Sequence, residues 1–180
     1  MQLPTLTGNG VNLSPFTQSD SLLVQSYAGD QMVAKTTQHV PHPYPDGVAE
    51  KWIAAHLTLY LEQRNITLAI RTLEGDLVGA INLGLKLNDQ FAELGYWIAH
   101  KYWGQGYCTR ASKRIIQYGF EELSLNKIYA RHLGGNIASG KVMKKVGMTR
   151  EGIQRQHTIK DGVLQDIVEY SILRSEYQLG

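Results

Sequence analysis

A chain of 180 residues with 43% hydrophobic and 19% charged residues is long enough for one packed domain and too apolar for disorder. With 18 Lys+Arg against 16 Asp+Glu, the net charge of +2 gives no basis for bulk binding to nucleic acid or an anionic membrane. A single Cys excludes an internal disulfide framework and a Cys-rich zinc site, and no apolar run approaches the ~18 residues of a membrane span.

The N-terminal ten residues lack a basic stretch followed by an apolar one, so no signal peptide is expected and the location is expected to be cytoplasmic. A first strand is weakly defined near Leu3 to Leu13. A helical pattern follows over Ser19 to Ala34. His39 to Gly47 (HVPHPYPDG) holds three prolines, each fixing φ and extending its predecessor, and reads as a stiff loop. A second helix is predicted from Val48 to Gln63, with Trp52, Ala55, His56, Leu59 and Tyr60 on one face and Asp46 as its cap. Three antiparallel strands come next: Ile66 to Leu73, Leu77 to Leu85 and Phe91 to Ala99. Turns at Glu74-Gly75-Asp76 and Asn88-Asp89-Gln90 join them. In the third strand, Leu94, Tyr96 and Ile98 share one face and Glu93, Gly95 and Trp97 the other. A glycine-bearing loop, Tyr102 to Tyr107, leads into a helix over Thr109 to Leu123. Then come a strand (Lys127 to Leu133), a short helix (Asn136 to Val146) closed by Gly147, and two strands (Gly152 to Ile159, Val163 to Leu173) turning at Asp161-Gly162. The whole reads as one α/β domain.

The stretch from Trp97 to Thr109 runs strand, glycine loop, helix. A helix N-terminus exposes about four unpaired N–H groups and roughly half a positive charge. Gly104 and Gly106 permit φ > 0 and close approach to an anion, and a small side chain at Cys108 keeps the entrance open. Such a loop can cradle a diphosphate on backbone alone. It lacks the Lys-Ser/Thr of a nucleotide P-loop, and it lacks the third glycine of a dinucleotide fingerprint.

The segment from Leu94 to Ala111 resembles motif A of the Gcn5-related N-acetyltransferase (GNAT) superfamily. In that motif an aliphatic residue is followed by four residues, Arg or Gln, two residues, Gly, one residue, and Gly or Ala. Ile98, Gly106 and Cys108 take the first, central and last positions, and Trp103 stands in place of Arg/Gln. These departures fit the RimJ/RimL-type subgroup, which acetylates ribosomal-protein N-termini. The resemblance extends through Asn136-Ile137-Ala138-Ser139, Lys145-Val146-Gly147-Met148 and the final hairpin, covering about Ile66 to Leu173. It implies a mixed, mostly antiparallel sheet of about seven strands flanked by about four helices. It also implies acetyl-CoA as donor, without a metal, and a primary amine as acceptor.

On that resemblance, Trp97, Ile98, Ala99, Trp103, Gly104, Gln105, Gly106, Tyr107, Cys108, Thr109, Asn136 and Ser139 are the candidate coenzyme contacts. The strand at Trp97-Ile98-Ala99 is expected to splay from the strand at Lys127, so that a backbone N–H can polarise the thioester carbonyl and pantetheine can pair like an added strand. Glu93 is the candidate base, directly or through water, though it equally fits a solvated strand residue or a salt-bridge partner, and Ser139 is the candidate proton donor to the departing thiolate. Asn136 and Ser139 equally fit a helix cap, with Asn136 bonding the Ser139 N–H. An α-amine, with a pKa near ~8, is on the order of a tenth neutral at pH 7, whereas a lysine near ~10.4 is neutral about once in a few thousand. A protein N-terminus therefore needs mainly positioning. A polyamine, amino sugar or amino acid is the alternative acceptor, and an acyl-CoA-binding module without turnover is a third reading. Cys108 as nucleophile and His39/His42 as metal ligands are disfavoured, lacking partners at suitable spacing. Tyr44, Trp52, Trp97 and Trp103 can line an acceptor pocket, with Trp52 expected rather in the core on its helix's apolar face, and Lys141, Lys144 and Lys145 can meet the coenzyme's 3′-phosphate but are expected rather on a solvated face. Exposed aromatics could support a homodimer.

Overall fold

The structure is a computed structural model and describes residues 2–177. Eight strands form one sheet in the order β1-β2-β3-β4-β5-β6-β8-β7. They are β1 (Leu6–Gly8), β2 (Val11–Ser14), β3 (Asn65–Arg71), β4 (Leu77–Lys86), β5 (Phe91–Ile98), β6 (Lys127–Leu133), β7 (Thr149–Lys160) and β8 (Val163–Leu173). The helices are α1 (Ser21–Ala28), α2 (Gln31–Thr36), α3 (Val48–Leu61), α4 (Tyr107–Glu121) and α5 (Ile137–Lys145). All neighbouring strands are antiparallel except β5 and β6.

The expected mixed α/β fold is present, with eight strands and five helices rather than about seven and four. The additional strand arises because Asn9 and Gly10, both at positive φ, fold the first strand into a hairpin. The additional helix arises because Ser19 to Ala34 is not one helix. It breaks at Gly29, and the Asp30 carboxylate then caps a new helix by accepting the Met32 N–H at 2.7 Å. Asp46 does not cap α3. Gly47, at φ 76, holds that position, and Asp46 accepts from Gln25 instead. The buried face of α3 is Ala49, Ile53 and His56, and Ala55 is exposed.

Each sheet face carries its own core. One face packs Ile66, Leu68, Ile81, Leu83, Ile128 and Tyr170 against Ile115, Ile116 and Phe120 of α4 and Met143 of α5. The other packs Ala69, Leu77 and Ala80 against Val24 of α1 and Ala49 and Ile53 of α3, with Trp52, Tyr44 and Trp97 at its margin. β4 serves both faces through an irregularity. The β3–β4 register slips between Ile70 and Arg71, and Val78 joins the core of Ile81 and Leu83 while Leu77 and Ala80 turn to the other side.

The feature that positions the site lies between β5 and β6. All eight residues of β5 pair with β4, and all seven of β6 pair with β8. Between themselves, β5 and β6 pair only from Phe91↔Lys127 to Leu94↔Ala130. Beyond that point the strands part, each held to its outer neighbour. Gly95 to Ile98 and Arg131 to Leu133 are thus left facing a gap without a strand partner.

Candidate active site

A cavity of about 930 Å³ occupies this gap. Its lining comes from both faces of the sheet: Tyr44, Trp52 and Trp97 on the α1–α3 side, Tyr96, Cys108 and Ser139 on the α4–α5 side. The open edge of β5 has defined donors. The Ala99 N–H is spent on the Val78 carbonyl at 2.9 Å, so odd-numbered residues bond to β4 and even-numbered ones turn toward the gap. The Ile98 carbonyl indeed points that way, accepting the Trp103 indole N–H at 2.7 Å. That bond explains an indole in the motif's Arg/Gln position: it pins the glycine loop to the strand end.

At the α4 end, Gly104 and Gly106 adopt φ of 76° and 79°, where a side chain is strained. No side chain caps α4, and its first intrahelical bond runs from the Arg110 N–H to the Gly106 carbonyl at 3.1 Å. The N–H groups of Tyr107, Cys108 and Thr109 therefore lack a helical partner. Gly104, Gly106, Tyr107, Cys108 and Thr109 all line the cavity. Gln105 does not: its carbonyl accepts from the Arg110 guanidinium at 3.0 Å and its amide donates to the Lys101 carbonyl at 3.0 Å. Ala99 does not line it either. Lys141 and Lys145 reach the lining and Lys144 does not. Uncapped amides at one end and two unpaired strand edges beyond them fit an elongated ligand with an anionic diphosphate and a peptide-like arm.

The chain matches the Acetyltransferase (GNAT) domain family over residues 11–149. The chain belongs to the GNAT family. It is 38% identical over 106 residues to YdaF of Bacillus subtilis (strain 168), an N-acetyltransferase provisionally named as ribosomal, and that alignment spans 58% of each chain. An acetyltransferase (GNAT family) from Bacillus anthracis superposes with a TM-score of 0.85 at 24% identity, covering 96% of this chain and 100% of that one. A spermidine N-acetyltransferase from Vibrio cholerae, solved with CoA and spermine, superposes at 0.81 with 18% identity over 94% and 98% of the two chains. The two solved structures share this chain's fold.

The two residues with candidate catalytic roles reach this GNAT cavity from opposite sheet faces. Glu93 lies with Gly95 and Trp97 on the α1–α3 side. Its Oε1 accepts from Arg131 Nε at 2.9 Å, and its Oε2 from Arg131 Nη2 at 3.1 Å and the Tyr129 hydroxyl at 2.9 Å. Burial, then the hydrogen bond to Glu93, pushes the Tyr129 phenol up to about 12. Ser139 lies on α5, buried, with its hydroxyl 2.7 Å from the Tyr96 hydroxyl. Asn136 caps α5, its Oδ1 accepting the Ser139 N–H at 3.1 Å, while its Nδ2 donates to the Thr36 carbonyl at 3.0 Å. One side chain thus fixes Ser139 and joins α5 to the end of α2. Burial raises the Cys108 thiol to about 12, against any use as a thiolate.

Tyr129, Arg131 and Tyr96 carry no role in the sequence reading. Alternation placed Tyr96 on the buried face, but only the α5 packing shows its hydroxyl partner. The Glu93–Tyr129 pairing follows from a parallel register that the sequence does not encode locally. The Pro-rich loop is roofed by the β7–β8 hairpin: Gln38 donates to Thr158 at 3.1 Å and Lys160 to the Val40 carbonyl at 3.3 Å.

Proposed function

We propose that this chain is an acetyl-CoA-dependent N-acetyltransferase whose acceptor is the α-amine of a polypeptide N-terminus. The parting of β5 and β6 after Leu94 and Ala130 carries the reading. Acetyl-CoA would supply the acyl thioester. The uncapped amides at 107–109, with Gly104 and Gly106, would hold its diphosphate. The Ile98 N–H, turned to the gap, would donate to the thioester carbonyl. Ser139 would hydrogen-bond the departing sulfur, next to an Asn136 that faces the pantetheine arm.

Glu93 acts on the acceptor. Its three donors fix both carboxylate oxygens and leave Oε1 a free lone pair for an amine N–H, aiming the nitrogen's own lone pair across the gap. A water relayed from Glu93 then takes the proton. Among the described residues, Glu93 is the one carboxylate in the cavity lining, and Arg131 is paired with it. A polycationic acceptor therefore meets no surplus negative charge, whereas a single α-amine needs only positioning. The aromatic walls of Tyr44, Trp52 and Trp97 suit the first side chains of a peptide. The hairpin roof over the Pro-rich loop favours a second reading, in which the acceptor is a small amine enclosed beneath it.

Titration calorimetry should give acetyl-CoA binding with a Kd at or below the order of tens of micromolar. With a panel of acceptors, thiol release is expected with free-N-terminus peptides and not with spermidine. Glu93→Gln is expected to leave coenzyme affinity intact and to lower kcat/KM for peptide about tenfold, the loss of one charge-assisted hydrogen bond. Turnover confined to small amines would overturn the polypeptide reading, and absence of coenzyme binding would overturn the enzyme reading.

A further inference from the structure

Tyr96 is the first residue on the α5 face of β5 after the strands part. On the paired part of the sheet, a side chain there would pack beside a residue of β6. At Tyr96 that neighbour has moved away, and the ring instead reaches α5. Its hydroxyl lies 2.7 Å from Ser139 Oγ and 3.4 Å from the Ser139 carbonyl.

The phenol has one proton to give. Given to the carbonyl, it would leave the serine to donate back to the phenol, with the serine proton turned away from the cavity. Given to Oγ, it leaves the serine proton free to point into the cavity. The 2.7 Å contact between the hydroxyls fits either direction, but the carbonyl at 3.4 Å is at the limit of a hydrogen bond and holds the phenol proton only weakly, so a coenzyme sulfur that takes the serine proton selects the second arrangement. The serine is otherwise fixed, its N–H held by Asn136. Burial raises the Tyr96 pKa, so the phenol keeps the proton it needs in order to donate.

We propose that Tyr96 is a positioning residue that donates to Ser139 Oγ and thereby aims the serine hydroxyl at the coenzyme sulfur. The inference rests on the proposed role of Ser139. As the amine nitrogen bonds to the acyl carbon, the C–S bond breaks and its electron pair goes to sulfur. The proton given up by the amine balances the proton gained by the thiol. Ser139 donates a hydrogen bond to the sulfur and gives no net proton, so Tyr96 need not ionise. A hydroxyl that itself accepts from a phenol is a stronger donor, and it is already oriented before the C–S bond breaks.

The test is a double-mutant cycle on the full chain with Tyr96→Phe, Ser139→Ala and the double variant. Tyr96→Phe is expected to lower kcat about tenfold, with KM for acetyl-CoA and the calorimetric affinity for coenzyme A within about twofold of wild type. Ser139→Ala is expected to lower kcat by at least as much, and adding Tyr96→Phe to it should cost nothing further. A merely structural Tyr96 would move coenzyme affinity or melting temperature, or slow both backgrounds equally, and any of these overturns the inference. So does an unchanged kcat in a folded Tyr96→Phe protein; if Ser139→Ala still slows turnover there, the role of Ser139 stands without Tyr96. If Ser139→Ala leaves kcat unchanged, the reading of Ser139 falls first and the role of Tyr96 with it. Tyr96→Met, which also lacks the hydroxyl and fills much of the ring's space, takes its place in the cycle with the same expected outcomes if Tyr96→Phe folds poorly.

Discussion

Gly79→Ala is expected to destabilise the protein by about 3 kcal/mol or more and to abolish coenzyme binding. A Cβ built on Gly79 comes within 2.1 Å of the Trp97 carbonyl oxygen and 3.0 Å of Ile98 Cα, both backbone atoms. No rotamer can relieve such a contact, so β4 and β5 must separate where they are paired as Gly79↔Ile98. Two costs follow from one methyl group. The Val78–Ala99 bond at 2.9 Å, which closes that end of β5, is strained. The open edge at Tyr96 and Ile98 is then no longer held at the width the ligand requires. At about 2–4 °C per kcal/mol for a chain this size, melting should fall by roughly 10 °C. Gly84→Ala in the same strand is the control, since a Cβ there meets only ordinary contacts, at 3.8 Å and beyond. A Gly79→Ala protein with wild-type melting and coenzyme affinity would show that the backbone approach is not a constraint.

The second large effect is on pH. His56 is 4% exposed, and neither ring nitrogen finds a partner among the described residues. Its ring instead sits edge-on to Trp52 at 4.4 Å, beside Phe16 at 5.5 Å. Burial lowers its pKa from 6.5 to about 4. Between these values the unfolded chain binds a proton that the folded chain does not, so unfolding is favoured as pH falls. The stability contributed by neutral His56 is complete above about pH 6.5 and is lost progressively down to about pH 4. At ~1.4 kcal/mol per pH unit across that gap, the loss is roughly 3 kcal/mol. Denaturant unfolding of wild type and His56→Leu from pH 7.5 to 4 measures it. The wild-type curve should fall relative to the variant by about that amount, and parallel curves would show that His56 does not carry the effect. Because the Trp52 ring packs against His56, Trp52 fluorescence should report the same transition.

Much of this was legible because its causes are local. Alternation through Leu94, Tyr96 and Ile98 follows from the strand period, and the Asp161-Gly162 hairpin follows from two residues able to adopt φ of 51° and 77°. Gly147 sits at φ 89 after α5, as its place in the sequence indicates. The Asn9-Gly10 turn was as local as Asp161-Gly162, yet the strands it joins are only three and four residues long, too short to show a pattern. The break at Gly29-Asp30 was hidden by apolar residues on both sides that kept a loosely helical spacing.

The site divides in the same way. The glycine loop and the Asn136 cap are contiguous in sequence, so their residues could be named. The partners of Glu93 lie 36 and 38 residues away on β6, and Ser139 lies 43 residues beyond Tyr96. These contacts depend on where two strands stop pairing. That is a balance of tertiary contacts, with β4 and β8 each holding one strand, and no short window contains it.

A crystal structure with coenzyme A bound tests the central claim most directly. The expected result has diphosphate oxygens within about 2.7–3.2 Å of main-chain N–H groups between residues 104 and 109. The pantetheine amides should lie between Tyr96–Ile98 and Arg131–Leu133, with the sulfur beside Ser139. Coenzyme bound elsewhere, or a diphosphate held by side chains away from the start of α4, would contradict it.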